Sequence, residues 1–282
     1  MNKIRQEVFL GKKEDYNRKL EYLASIAQPE LWTFQSVKAT DPYRILRNYF
    51  QFTYDRLSEE EKFEESKDGE YRCMNTGLLT GYDQEIVALF LRSHREGYLP
   101  WFLVGFFRDS DRKFQSLFSK VPPLADYGGN AADLIFDKKL EISLNKIHII
   151  DDNFMRFMEA GYSDKGLIDA LLESAHQKLK KKLSRNFKLA LPFYYHNTDT
   201  DERKIQLLVP LYFPNSAVKL ALVLDKRKVQ DGGQYYEAVT VLPVEWAYMN
   251  ARLIVRPDEE WAKIVDELDS PLGEDENFSD IA

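Results

Sequence analysis

Six cations, Lys178, Lys180, Lys181, Lys182, Arg185 and Lys188, fall within eleven positions, where they could follow a phosphate backbone. A helix C-terminus also favours cations through its dipole, so the cluster has a structural account as well. Asn186 sits among these cations. Further along, Asn250 and Arg252 stand in an apolar and aromatic segment, which leaves their side chains either buried with partners or lining a pocket. A guanidinium offers a planar fork to phosphate, and an amide can pair with a base edge. An Arg that satisfies helix-end carbonyls or a buried carboxylate such as Glu245 fits the same pattern. By strand alternation Gln206 shares a face with Leu208 and Pro210, and a polar group on such a face needs a partner, a ligand or water.

His176 lies one helical turn from Lys180, and His148 precedes Asp151-Asp152. A histidine beside a carboxylate and a cation can do general acid/base chemistry on a phosphodiester; a hydrogen-bonded structural histidine is the plainer account. Tyr194, Tyr195, Trp101 and Trp246 are candidate stacking surfaces for bases, in a chain whose 16 tyrosines mostly reflect packing. Asp151, Asp152 and Asp169 have no metal-ligand spacing, and helix capping by Asp151 or Asp152 is simpler. There is no Walker lysine, no glycine-rich dinucleotide turn and no nucleophile elbow, and the cofactor is left unknown.

The elements that would position these residues follow from the patterning. The chain has 282 residues, 44% of them hydrophobic, with a net charge of -7, so a polyanion site would be a local patch. One cysteine, Cys73, and no long apolar run suit a reducing cytosol, with no secretory or membrane segment expected. Residues 1–65 read as a helical extension with aromatics at helical spacing from Tyr43 to Leu57. Tyr71 to Leu79 and Pro100 to Phe107 read as strands, and Tyr82 to Arg92 as a helix with a stripe at Ile86, Leu89 and Phe90. Val121 to Asn130 is a loop, and Ile149 to Asn153 is the expected hinge. Ser163-Asp164 opens a helix with Leu167, Leu171, Ala175, Leu179 and Leu183 on one face. Strands near 187–195, 204–213, 217–225 and 235–242 are separated by short turns, which favours an antiparallel meander. Helices follow at 244–254 and 258–268, then an acidic tail at 269–282 expected to be loose.

Several segments also occur in a consistent order: Asn75-Thr76-Gly77-Leu78, Trp101 to Phe106, His148-Ile149 with Asp152-Asn153 and Arg156-Phe157, Arg185-Asn186-Phe187-Lys188, Gln206-Leu207-Leu208-Val209-Pro210-Leu211 and Ala247-Tyr248-Met249-Asn250-Ala251-Arg252-Leu253-Ile254. In this the chain resembles the family called domain of unknown function 3825 over roughly residues 43–262. It departs from the family pattern at Met249, where a second Asn is expected, and at Phe193, where a Gln is usual. The resemblance implies that Asn75 joins Arg185, Asn186, Gln206, Asn250, Arg252 and Lys180 as a ligand-binding candidate. Relatives with appended cold-shock or OB modules tilt the expectation towards RNA.

The expected protein is therefore α+β: a mostly antiparallel sheet flanked by helices, with residues 1–65 as an extension, 66–268 as the family domain and 269–282 as the tail. Its expected function is binding of RNA or a nucleotide in a pocket formed by the family motifs. A phosphodiesterase or nucleotide hydrolase using His176 or His148 is the alternative, and a protein-interaction module the third.

Overall fold

The computed structural model describes residues 3–34, 43–197, 199–214, 217–229 and 232–266, so the acidic tail lies outside the described residues. Two compact units divide at the 127–128 peptide, inside the expected loop: residues 1–33 with 39–127, and 34–38 with 128–282. The helices of residues 1–65 belong to the same unit as the strands that follow them. Among the described residues no helix is long and apolar enough to cross a membrane.

The N-terminal unit runs α1 (Lys3–Glu7), β1 (Val8–Phe9), α2 (Lys13–Ile26), α3 (Arg44–Glu59), β2 (Glu64–Glu65), β3 (Tyr71–Leu79), β4 (Glu85–Arg92), β5 (Trp101–Arg108) and α4 (Arg112–Leu117). Its sheet has the order β1-β5-β4-β3-β2, with β1 parallel to β5 and the other pairs antiparallel. One face packs Cys73, Val87 and Leu89 against Phe114 and Phe118. The other meets α3, where Phe50 stands edge-on to Phe106 and Tyr54 to Phe90.

The segment 82–92, expected to be helical, contains the central strand β4. Ile86 to Phe90 are all fully buried. A strand covered on both faces reads as a continuous apolar run, within which a helical stripe can always be picked out.

The C-terminal unit runs β6 (Ile142–Ser143), α5 (Lys146–Asp152), α6 (Phe154–Glu159), α7 (Lys165–Leu183), β7 (Leu191–Asn197), β8 (Glu202–Pro210), β9 (Leu220–Lys228), β10 (Gln234–Pro243), α8 (Val244–Ala251) and α9 (Glu259–Asp266). The expected meander is present: order β6-β10-β9-β8-β7, antiparallel from β7 to β10, with β6 added in parallel. Leu207, Val209, Leu222 and Leu224 share one core with Ile149, Phe157, Leu172 and Leu179 of α5 to α7. Helix α8 packs on β7 to β10 and contributes nothing to that core, so it covers the opposite face.

Asp164 caps α7 by accepting from the Leu167 N–H at 2.6 Å. The buried stripe of this helix is Ile168, Leu172, Ala175, Leu179 and Leu183, while Leu167 is 52% exposed. A strict spacing of four drifts by about 40° per step against a 3.6-residue turn, so the expected row leaves the core face at its N-terminal end.

Candidate functional site

A recess open to a ligand lies in the N-terminal unit. After β1 pairs with Trp101 and Phe102, Gly11 takes φ +102°, a conformation side chains disfavour, and turns the chain into α2. Helix α2 buries Tyr16, Leu20 and Leu23. Its adjoining stripe, Asp15, Arg18, Lys19 and Tyr22, faces a cleft of about 660 Å³ along β5, of ordinary size for a small-ligand site.

Phe9 and Phe102 stack at 6.0 Å between centroids, yet remain 51% and 37% exposed. Lys19 Nζ sits 4.6 Å from the Phe102 ring centroid and donates to the Leu103 carbonyl. Burial lowers the Lys19 pKa below the usual lysine range, with Asp15 pulling it back up. Arg18 pairs with Asp15, and Lys12 has no ion pair among the described residues. The cleft therefore combines open aromatic surface with an excess of cations, in a chain that is acidic overall.

The expected site residues are distributed differently. Lys180 is paired with Glu141 at 2.9 Å. Arg185 donates from Nη1 to the Lys181 carbonyl at 2.7 Å, which is helix capping. Asn186 accepts from the Lys188 N–H and donates to Glu260 at 3.4 Å. Glu260 also receives Lys182 Nζ at 3.2 Å and the Tyr212 hydroxyl at 3.0 Å, while Trp261 Nε1 donates to the Leu189 carbonyl at 2.9 Å. Lys182 Nζ in turn lies 4.2 Å from the Tyr212 ring centroid. Lys182 and Asn186 thus join α9 to the end of α7.

Asn250 donates to the Trp246 carbonyl at 3.0 Å within its own helix, and Arg252 is 9% exposed at the end of α8. Gln206 is 5% exposed, and its side chain makes no hydrogen bond among the described residues. Its neighbours in sequence, Ile205 and Leu207, point the other way, and Leu207 belongs to the α7-side core. Gln206 therefore faces the α8 side, whereas His176 and Lys180 lie on α7, across the sheet. On the neighbouring strand β9, nearly buried Asp225 is paired with Lys204 at 2.8 Å and Arg227 at 3.1 Å.

Asn75 belongs to the N-terminal unit and is 2% exposed. Its amide donates to Glu85 at 3.3 Å and to the Pro122 carbonyl at 3.2 Å, and its oxygen accepts from the Gly77 N–H at 2.9 Å. The Asn-Thr-Gly-Leu segment builds a bulge in β3. Similarly, Asn153 accepts from Arg156 Nη1 at 2.9 Å and from the Thr240 hydroxyl at 2.6 Å, while Arg156 reaches the Val241 carbonyl at 2.9 Å. That motif clamps α5 and α6 to β10.

His176 Nε2 is buried without a partner among the described residues. Burial lowers the His176 pKa below the ordinary histidine value, Lys180 lowers it further, and the Glu173 carboxylate acts against them. His148 Nδ1 pairs with Asp152 at 3.1 Å on an exposed helix, and Asp151 pairs with Lys165, so neither aspartate is a cap. Trp101 and Trp246 are 4% and 5% exposed, and the Arg72 and Arg92 guanidiniums lie 4.3 and 4.8 Å from the Trp101 ring. Tyr82, Tyr98, Phe9, Phe187, Tyr22 and Phe102 are the exposed aromatics among the described residues, and of these Phe9, Tyr22 and Phe102 line the cleft. The available signal was a phenylalanine beside Gly11 and Lys12, followed by Asp15, Arg18, Lys19 and Tyr22 on one helical face.

The family described as domain of unknown function (DUF3825) matches residues 23–261, and the chain belongs to it. No curated protein and no solved structure gave a match.

Proposed function

We propose that this member of the DUF3825 family binds single-stranded RNA or a nucleotide in the cleft between α2 and β5. The observation that carries the reading is the half-exposed Phe9–Phe102 stack with Lys19 against it and Lys12 and Arg18 at the rim. Bases stack on aromatic faces irrespective of sequence, each contributing about 1–3 kcal/mol, while nearby cations follow the phosphates. At the basic end of α7, Lys180 and Lys182 are committed to carboxylates.

Fluorescence anisotropy of a labelled single-stranded RNA, with unlabelled mononucleotides as competitors, tests this. Phe102→Ala is expected to weaken binding about tenfold, within the range for loss of one stacked base. Lys19→Met is expected to weaken it and to lower the salt dependence by about one counterion. Because burial depresses the Lys19 pKa, affinity is expected to fall with rising pH before the ordinary lysine range is reached. Full affinity in Phe102→Ala, with loss in Arg185→Ala, would move the site to the C-terminal unit.

A further inference from the structure

We propose that the main chain of Phe106 reads the hydrogen-bonding edge of one nucleobase in this cleft; the inference rests on the RNA or nucleotide reading above. The phase of the β4–β5 ladder sets which groups point inward. Asp109 N–H donates to the Glu85 carbonyl at 3.0 Å, and the register pairs Val87 with Phe107 and Leu89 with Gly105. Antiparallel pairs alternate between bonded and non-bonded. Residues 107 and 105 thus bond to β4, and Phe106, opposite Ala88, turns both its N–H and its C=O towards the open edge.

Positions on either side along that edge are taken. Strand β1 covers Trp101 and Phe102, and Lys19 Nζ donates to the Leu103 carbonyl. At the other end Arg108 N–H donates to Asp111 at 2.8 Å, and the Arg108 carbonyl accepts from Asp111 N–H at 3.0 Å. Phe106 keeps one donor and one acceptor with no partner among the described residues, in a residue 2% exposed that lines the cleft. Buried main-chain groups without partners are costly, so the arrangement favours an occupant that satisfies both.

The chemistry of that occupant follows. An added peptide strand bonds to a run of alternate residues, and here the alternate positions on either side are already taken. A phosphate only accepts, and would leave the Phe106 carbonyl unmet. A nucleobase edge carries a donor beside an acceptor, as adenine does with its amino group next to a ring nitrogen. Its apolar faces suit the surface of Phe9, Phe102 and Phe107 that borders this edge.

Amide hydrogen exchange, resolved by residue, tests the inference with two probes: a mixed-sequence single-stranded RNA of about ten nucleotides, within the usual site sizes, and a sugar-phosphate strand of equal length lacking bases. The expected result is that the Phe106 amide exchanges at least about tenfold more slowly with the RNA, the size of an ordinary hydrogen bond gained, and is unaffected by the baseless strand. If the RNA perturbs Phe9, Lys19 and Phe102 but leaves Phe106 exchange unchanged, base reading by the main chain is overturned and the cleft remains the site. If the RNA perturbs none of them, both readings fall.

Discussion

The two units each carry a cation-rich, aromatic region, and the regions differ in what holds the charge. At the end of α7, Lys180 is held by Glu141 and Lys182 by Glu260, and Tyr212, whose ring Lys182 faces, donates to that same glutamate. Beside β5, Lys19 rests on a neutral carbonyl and an aromatic face, and Lys12 has no ion pair among the described residues. Among the described residues two of the six cations in the sequence cluster and one of the three in the cleft are paired with carboxylates, so the denser cluster in sequence is not matched by a proportionate gain in ion pairing. A count of cations reports how much charge a segment has; its partners decide how much of that charge a ligand can use.

Three perturbations bear on this contrast. The largest effect is expected from Gly77→Ala. Gly77 has φ +74°, and an added Cβ would lie 2.5 Å from the Tyr49 hydroxyl, which donates to the Thr76 carbonyl at 2.8 Å. Backbone strain and overpacking together are expected to cost about 3–4 kcal/mol. In urea denaturation the N-terminal unit is expected to lose that stability, and RNA binding to decline with the folded fraction. An unchanged midpoint would show that the bulge is not rigid.

Asp55 supplies a pH test of the same unit. Burial raises its pKa from 3.8 to about 6, against the Ile4 amide that donates to it at 2.9 Å. A carboxyl whose folded pKa is raised contributes stability fully present below the unfolded pKa and lost as pH rises through the folded one. From about pH 4 to pH 6 the loss is expected to reach about 2 kcal/mol. Asp55→Asn is expected to flatten that slope, and a variant with the original slope would assign it to another group.

The smallest effect belongs to the C-terminal unit. Glu260→Ala removes the shared acceptor of Lys182, Tyr212 and Asn186, which is partly exposed, and is expected to cost about 1 kcal/mol of stability. RNA affinity is expected to change by less than about twofold, as for a charge away from the contact surface. A tenfold rise would reveal a latent site at the basic end.

Much of the fold was legible because it depends on local pattern. The meander from β7 to β10 follows from apolar runs joined by short turns, and α7 from its aspartate cap and apolar periodicity. The strand β4 was misread where burial on both faces erased the alternation that marks a strand. The site was harder for a different reason. Asn75 and Asn250 look like ligand contacts in sequence, but their amides bond backbone or glutamate within the fold. Phe9 and Phe102 are about 90 residues apart, so their stack exists only through the β1–β5 pairing. Phe106, the residue with the open donor and acceptor, looks like any core phenylalanine, because main-chain availability leaves no mark on side-chain type.

The most direct test of the contrast between the two regions is ultraviolet cross-linking of single-stranded RNA to the whole chain, with the attached peptides identified by mass spectrometry. The account predicts cross-links at Phe9, Tyr22 or Phe102. Cross-links confined to residues 178–188, or none at all, would contradict it.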